Sequence, residues 1–441
     1  MSSRVLTQQA PFRSTIARLS IAMVLCCSGF SWAEARDLYK WVQYVPGGLE
    51  VRAVTDDVSC PVATIDASAV SMTERSAPGE NYPVRGCALA IPAGAKQVTI
   101  SGVPMPLPKP QANRILVIGD TGCRLKGKQV QACNDISQWP FRIGADISAE
   151  FKPDLVLHVG DFHYRESACP LNNMGCAGTP FGDSWDVWRA DFFVPGETLL
   201  NTAPWVFVRG NHEECDRGGK GWARTLDPYP FNPSEGATGC MGPAKPYTVD
   251  LGGVILGVLD VSTADEGKVN EQQVAWYKAM FRTVQDQAKT ERASKQAADG
   301  PVWLAFHRPV WVLDGSAGNQ QGGDNKTLQA AAKGNLDPNV QLFLSGHHHV
   351  FEAMSYEQDI PAALISGHGG DDFSPEVPPN PVGLTVDGMT VKAGIAKPGI
   401  YGFSMLERAT DGSGKWTFTG YDVHAKQIGR CIVDGRTLAC Q

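Results

Sequence analysis

Six of the nine histidines in this 441-residue chain stand just beyond an apolar run, together with two aspartates, an asparagine and a tyrosine. Ile115–Ile118 is followed by Gly119-Asp120, and Leu155–Val159 by Gly160-Asp161-Phe162-His163-Tyr164. Trp205–Val208 leads to Gly210-Asn211-His212-Glu213, Val302–Phe306 to His307, and Val340–Leu344 to Gly346-His347-His348-His349. An apolar run of four or five residues reads as a strand buried on both faces, and open α/β sheets carry their ligands beyond such strand ends. Imidazole, carboxylate, amide and phenol donors without thiolates suit borderline or hard cations such as Fe, Zn or Mn. Two nearby cations need a shared ligand, which a carboxylate with two oxygens supplies. A water bound to such a pair loses its proton near neutrality and becomes a nucleophile.

Alone, each of these residues has a plainer reading. A Gly-Asp after a strand is usually a turn, and His158, inside its strand, reads as a hydrogen-bonded core histidine. His163 and His348 fall between ligand candidates and read either as catalytic groups or as partners orienting a ligand. His368, in Ser366-Gly-His-Gly-Gly370, is held as an outer residue of the same site.

The elements that must position these residues alternate from Asn113 onward. Gln138–Phe151 and Asp183–Val194 read as helices, the latter with Trp185, Trp188 and Phe192 on one face. Tyr247–Leu251 and Val254–Val261 read as an antiparallel pair across Gly252-Gly253, and Gln272–Gln285 as an amphipathic helix. Ala362–Ser366, Tyr401–Glu407 and Trp416–Tyr421 are strand-like. The order fits an α/β (α+β) fold in which two packed sheets are flanked by helices. Residues 36–108, with short alternating runs such as Leu49–Val54 and many Gly, Pro and Ser, read as a small all-β sandwich domain. The proline-rich Val103–Pro110 reads as a stiff linker to a catalytic domain at 109–441.

The set Gly119-Asp120-Thr121-Gly122, Gly160-Asp161-Phe162-His163-Tyr164, Gly210-Asn211-His212-Glu213, His307 and Gly346-His347-His348-His349 resembles the calcineurin-like metallophosphoesterases, and among them the purple acid phosphatases. Only Leu304, where that pattern has Val, departs from it. The resemblance implies a phosphoester hydrolase using a metal-bound hydroxide. One metal would be held by Asp120, Asp161, Tyr164 and His349, the other by Asp161, Asn211, His307 and His347. A phenolate at Tyr164 implies Fe paired with Zn, Mn or Fe; two divalent ions are the alternative. His212 would face the phosphate. A phosphodiesterase or nucleotidase with the same core, and a non-catalytic binding protein on the same fold, are the rival readings.

Bulk properties bound the rest. Hydrophobic residues make up 43% and charged residues 19%, as in a folded protein, and the formal charge of −7 disfavours nucleic-acid polymers as partners. A small phosphoester is the expected partner. Arg4, Arg13 and Arg18, the apolar Leu19–Cys27 run and the small residues up to Ala35 read as a secretory signal over 1–35, too short for a membrane anchor. Cleavage after Ala33 removes three arginines and no acid, taking −7 to −10. Ten of the 12 cysteines lie beyond this leader and fall into the sequence-near couples 60–87, 123–133, 169–176, 215–240 and 431–440. No Cys-x2-Cys spacing occurs, so disulfides of a periplasmic or secreted protein are expected, not a thiolate zinc site. The gly-rich segments 165–181, 214–242 and 314–333 are expected to form the rim that selects the alcohol.

Overall fold

Alternation within each apolar run decides which residues face which layer. In the computed structural model, which describes residues 38–236, 239–295, 300–313, 325–374 and 377–441, the strands Arg114–Ile118, Leu155–His158 and Trp205–Phe207 lie parallel, with Leu157 opposite Val117 and Val206. The strands Ile255–Val258, Val302–Ala305, Val340–Ser345 and Ala362–Ser366 run parallel in a second sheet. Val117, Leu157 and Val206 point inward and meet Trp303, Leu342 and Leu364 of the facing sheet. Their chain neighbours Leu116, Val156 and Trp205 point outward onto Phe141, Trp188 and Phe192. On the far side, Leu304 and Phe343 pack under Tyr277, Phe281 and Val284. Both faces of each parallel strand are therefore covered, which is why the runs are almost continuously apolar. Each such large side chain contributes about 1.5–3 kcal/mol by burial.

The helices follow the expected stripes, with two differences. Glu271–Ser294 is capped by Asn270, whose side chain accepts from the Gln273 N–H, and it outruns the expected 272–285 because Ala288 and Arg292 prolong the buried face. Phe141–Glu150 lies within the expected 138–151. The segment expected as one helix over 183–194 is instead an α-turn, Trp185–Trp188, continued by a π-helical turn, Arg189–Phe193. The wider turn swings Asp191 inward, where it accepts from Arg165 Nε at 2.6 Å and from the Cys123 N–H at 3.2 Å.

The N-terminal sandwich is present, but not as a detached domain. Its strand Leu38–Val45 pairs in parallel with Trp205–Phe207, so Gly48–Thr55, Arg85–Ile91 and Thr73–Ser76 continue the first sheet to eleven strands. A separate four-stranded sheet packs on this extension around Val42, Val51, Val98 and Ile100. An unpaired edge at Trp205–Phe207 would leave backbone groups open, and the N-terminal strand satisfies them. No break appears at 108/109, and Val103–Met105, expected within the linker, is an edge strand of the small sheet. At the opposite edge Gly402–Arg408 pairs with Arg114–Ile118 and is followed by Trp416–Asp422 and a terminal hairpin, Gln427–Asp434 with Thr437–Cys440. All five expected disulfides are formed. Among the described residues no helix is long and apolar enough to cross a membrane. The leader expected over 1–35 and the 314–324 part of the third rim segment lie outside the described residues.

Candidate metal centre and active site

Three of the strand ends turn through left-handed backbone at residues that are not glycine: Asp120 (φ +56°), Asp161 (φ +59°) and His347 (φ +69°). That region costs a residue with a Cβ about 1–2 kcal/mol and persists only where neighbours enforce it. Here they do. The Asp120 N–H donates to Gly160 O at 2.9 Å, the Thr121 N–H to Asp161 O at 3.0 Å, and the His347 N–H to Asp120 Oδ2 at 3.0 Å. The adjoining glycines are needed for close approach. A Cβ at Gly210 would lie 2.0 Å from Asp161 Oδ1, and one at Gly160 would lie 2.5 Å from His307 Nδ1.

These turns bring seven side chains together. Tyr164 Oη lies 2.9 Å from Asp120 Oδ1, 2.8 Å from Asp161 Oδ2 and 3.2 Å from His349 Nε2. On the other side of Asp161, its Oδ2 is 3.0 Å from His307 Nε2, which in turn is 3.2 Å from Asn211 Oδ1. Asp161, His307 and His347 offer ligand atoms that all lie within 4.8 Å of one another. Asp161 thus borders both groups.

The tautomers show what this cluster can hold. His307 Nδ1 sits 2.8 Å from the Val159 carbonyl, which can only accept, so Nδ1 carries the proton. In the neutral ring Nε2 is then a bare lone pair aimed at two oxygens. His349 repeats the pattern, with Nδ1 on the Asp372 carbonyl and Nε2 facing Tyr164 Oη and, at 3.4 Å each, Asp120 Oδ1 and Asp371 Oδ2. Lone pairs meeting in a buried space are reconciled only by a proton or a cation. Burial alone would lower the His307 imidazole, but Asp161 against it pushes it up to about 9. Tyr164 is driven well above the usual phenol range by burial and by Asp120, Asp161 and Asp371. The donor set fits metal ions at both groups.

Several groups with a part in the site were given no role by the motif reading. The Glu213 carboxylate accepts four backbone N–H groups, from Asp161, Phe162, His163 and Gly210, at 2.8–3.1 Å, and so fixes the Asp161 loop. Burial and Asp161 push it up to about 8 against those bonds. Asp191 accepts from the Tyr164 N–H at 3.0 Å. Glu266 Oε1 lies 2.8 Å from His347 Nε2, a contact that favours the proton there and leaves the lone pair on Nδ1. Glu213 could have been found from its place beside Asn211-His212; Asp191, Glu266 and Asp371 carry no local signal.

A family model for calcineurin-like phosphoesterases matches residues 113–351, more than half of the chain. The chain belongs to that family. It is accordingly a metallophosphoesterase, a hydrolase of phosphoric esters. The structure of purple acid phosphatase PPD1 from yellow lupin (Lupinus luteus) seeds is similar in fold, with a TM-score of 0.54 at 15% identity over 89% of this chain and 73% of that one. A structure of PhoD is similar at a TM-score of 0.49 and 10% identity, covering 91% of each chain. No curated protein matches the sequence.

The remaining histidines of the phosphoesterase separate by position. His212 stacks on Tyr164 with ring centroids 3.8 Å apart, and its Nε2 lies 3.9 Å from Asp161 Oδ2. His163, expected as a catalytic candidate, turns away from the cluster: Nε2 donates to Gly182 O at 3.0 Å and the ring lies near Trp188. His348 is buried with its ring 5.8 Å from that of His347. His158 is the core histidine expected, 3.1 Å from Thr121 Oγ1 and stacked on Phe162. His368 is buried against Phe351 and contacts none of the seven.

Proposed function

We propose that this phosphoesterase is an exported phosphatase working with a dinuclear metal centre. Asp120, Asp161, Tyr164 and His349 would hold one ion, and Asp161, Asn211, His307 and His347 the other. The carrying observation is that His307 and His349 each place Nδ1 on a backbone carbonyl and turn Nε2 onto a buried carboxylate oxygen. When bound, two such ions polarise a phosphoryl oxygen and render a coordinated water acidic. A phenolate at Tyr164 favours iron in the first position with Zn, Mn or Fe in the second. Five disulfides support an oxidising compartment such as the periplasm or the exterior.

The chain's own residues orient the ester. Water adds to phosphorus in line as the P–O ester bond breaks, giving phosphate and the alcohol. Burial holds the His212 imidazole down at about 3, with Asp161 and Glu166 opposing, so the ring is neutral. Its Nδ1 lies 2.6 Å from both Glu166 Oε1 and Arg217 Nη2, and can donate to the first or accept from the second but not both. The tautomer that accepts from Arg217 carries its proton on Nε2, where it hydrogen-bonds a phosphoryl oxygen. Arg217 is itself held by Glu166 through Nε at 2.9 Å.

Metal analysis and a visible spectrum of protein purified without chelator, alongside turnover of p-nitrophenyl phosphate and its bis-ester, test this reading. Two ions per chain and faster monoester turnover are expected. Metal-free protein that still hydrolyses the monoester would overturn it.

A further inference from the structure

We infer that Phe373 is a stacking platform for the alcohol side of the substrate, so that the preferred ester carries a flat aromatic group such as a nucleobase. This rests on the phosphatase reading above.

Phe373 is the exposed member of a built strip that begins at the metal cluster. Its two chain neighbours both grip His349: the Asp372 carbonyl takes the Nδ1–H, and Ser374 Oγ lies 2.6 Å from the His349 backbone nitrogen. Phe373 therefore cannot leave the cluster without moving a ligand candidate. Its ring, in a residue 40% exposed, lies on Tyr401 with centroids 4.2 Å apart. Tyr401 is fixed in turn, because its hydroxyl takes a 3.1 Å contact from Gln131 Nε2, which also donates to Gly370 O at 2.8 Å. Gln131 Oε1 accepts from the Arg124 N–H, and the Arg124 guanidinium lies over the Tyr164 ring at 4.8 Å. The strip Tyr164–Arg124–Gln131–Tyr401–Phe373 is thus continuous from a candidate ligand to an aromatic face open to solvent.

Exposed apolar side chains scattered singly are ordinary. This one is backed by a second ring, and that ring is held by a buried amide. Tyr401 backs the Phe373 ring, and the residue is 40% exposed, which leaves aromatic surface for a third ring. Stacking on an aromatic face tolerates any flat ring and needs no matching hydrogen bonds. The charges beside the strip, Arg124 paired with Asp371 and the Asp372 carboxylate near Tyr401, leave no unpaired cation for a charged alcohol.

Adenosine 5′-monophosphate and ribose 5-phosphate share the same primary ester oxygen and differ by the base, so the ratio of their kcat/KM isolates the platform. The metal-loaded protein is expected to favour the nucleotide roughly tenfold or more, mainly through KM. Phe373→Leu, which keeps apolar bulk on Tyr401 without the aromatic face, should reduce the ratio roughly five- to tenfold, and Phe373→Trp should keep it. Equal efficiency on both esters, or an unchanged ratio in Phe373→Leu, overturns the platform while leaving the phosphatase reading intact. Turnover of p-nitrophenyl phosphate but of neither ester overturns the platform alone, and turnover of none of the three removes both.

Discussion

Asp161 meets Tyr164 and His307 with one carboxylate oxygen and the His212 backbone N–H, at 2.8 Å, with the other. Asp161→Asn exchanges an acceptor for an N–H donor and removes the shared charge, yet leaves the loop held by Glu213. Metal content should collapse and turnover fall by about 10³-fold or more, with an unchanged far-ultraviolet circular dichroism spectrum; retention of both ions and activity contradicts the bridging assignment. Glu213→Ala should act in reverse order, on the scaffold first. It orphans four buried backbone N–H groups at about 1–3 kcal/mol each, so the urea midpoint should drop before any kinetic effect is measured. His212→Ala leaves the four N–H groups and the His212 backbone bond to Asp161 in place and removes only the ring that packs on Tyr164. It should keep the metals and slow hydrolysis by about 10²–10³-fold, a split that parallel elemental analysis and steady-state kinetics would reveal.

At the scale of elements, the strand Phe351–Tyr356 begins two residues past His349, and its first ring packs directly on glycines of two strands in the other sheet. A Cβ at Gly420 would lie 2.6 Å from Phe351 Cδ2 and one at Gly429 would lie 2.7 Å from Phe351 Cε1. Gly420→Ala should therefore cost about 1–3 kcal/mol in chemical denaturation by pushing Phe351 out of place; an unshifted midpoint would show that the ring yields freely. The strands themselves were readable because parallel, doubly covered strands must be apolar on both faces, and their polar termini stand out against that background. The disulfide couples were readable because each closes a short loop. The π-helical register at 189–193 was not, since Trp185, Trp188 and Phe192 satisfy an ordinary helical stripe equally well. Nor were Asp191, Asp371 and Glu266 readable as supports, because their partners Tyr164, His349 and His347 are remote in sequence and meet them only after folding.

Over the whole molecule, the N-terminal strands are bound into the catalytic half by more than sheet pairing. Arg52 Nη1 donates to the carbonyls of Thr225 and Asp227 at 2.8 Å, and Arg75 Nη2 reaches those of Ala223, Asp227 and Tyr229. The sequence could not show this, because the proline-rich stretch after residue 102 looks the same whether it separates two bodies or skirts one. A chain beginning at residue 109 would expose the Trp205–Phe207 edge and strip these five carbonyl contacts from the 223–229 segment, along with those that Gln43 and Ser76 make to the carbonyls of Leu226 and Arg224. It should aggregate, and a soluble monomer in size-exclusion chromatography would show that the catalytic half stands alone.

The left-handed turns at Asp120 and Asp161 are pinned by peptide groups of the chain itself, and that at His347 by the Asp120 carboxylate. A chelated apoprotein would consequently keep the outline of its pocket, and reloading would be governed by how fast an ion sheds its hydration shell, not by any refolding of the loops.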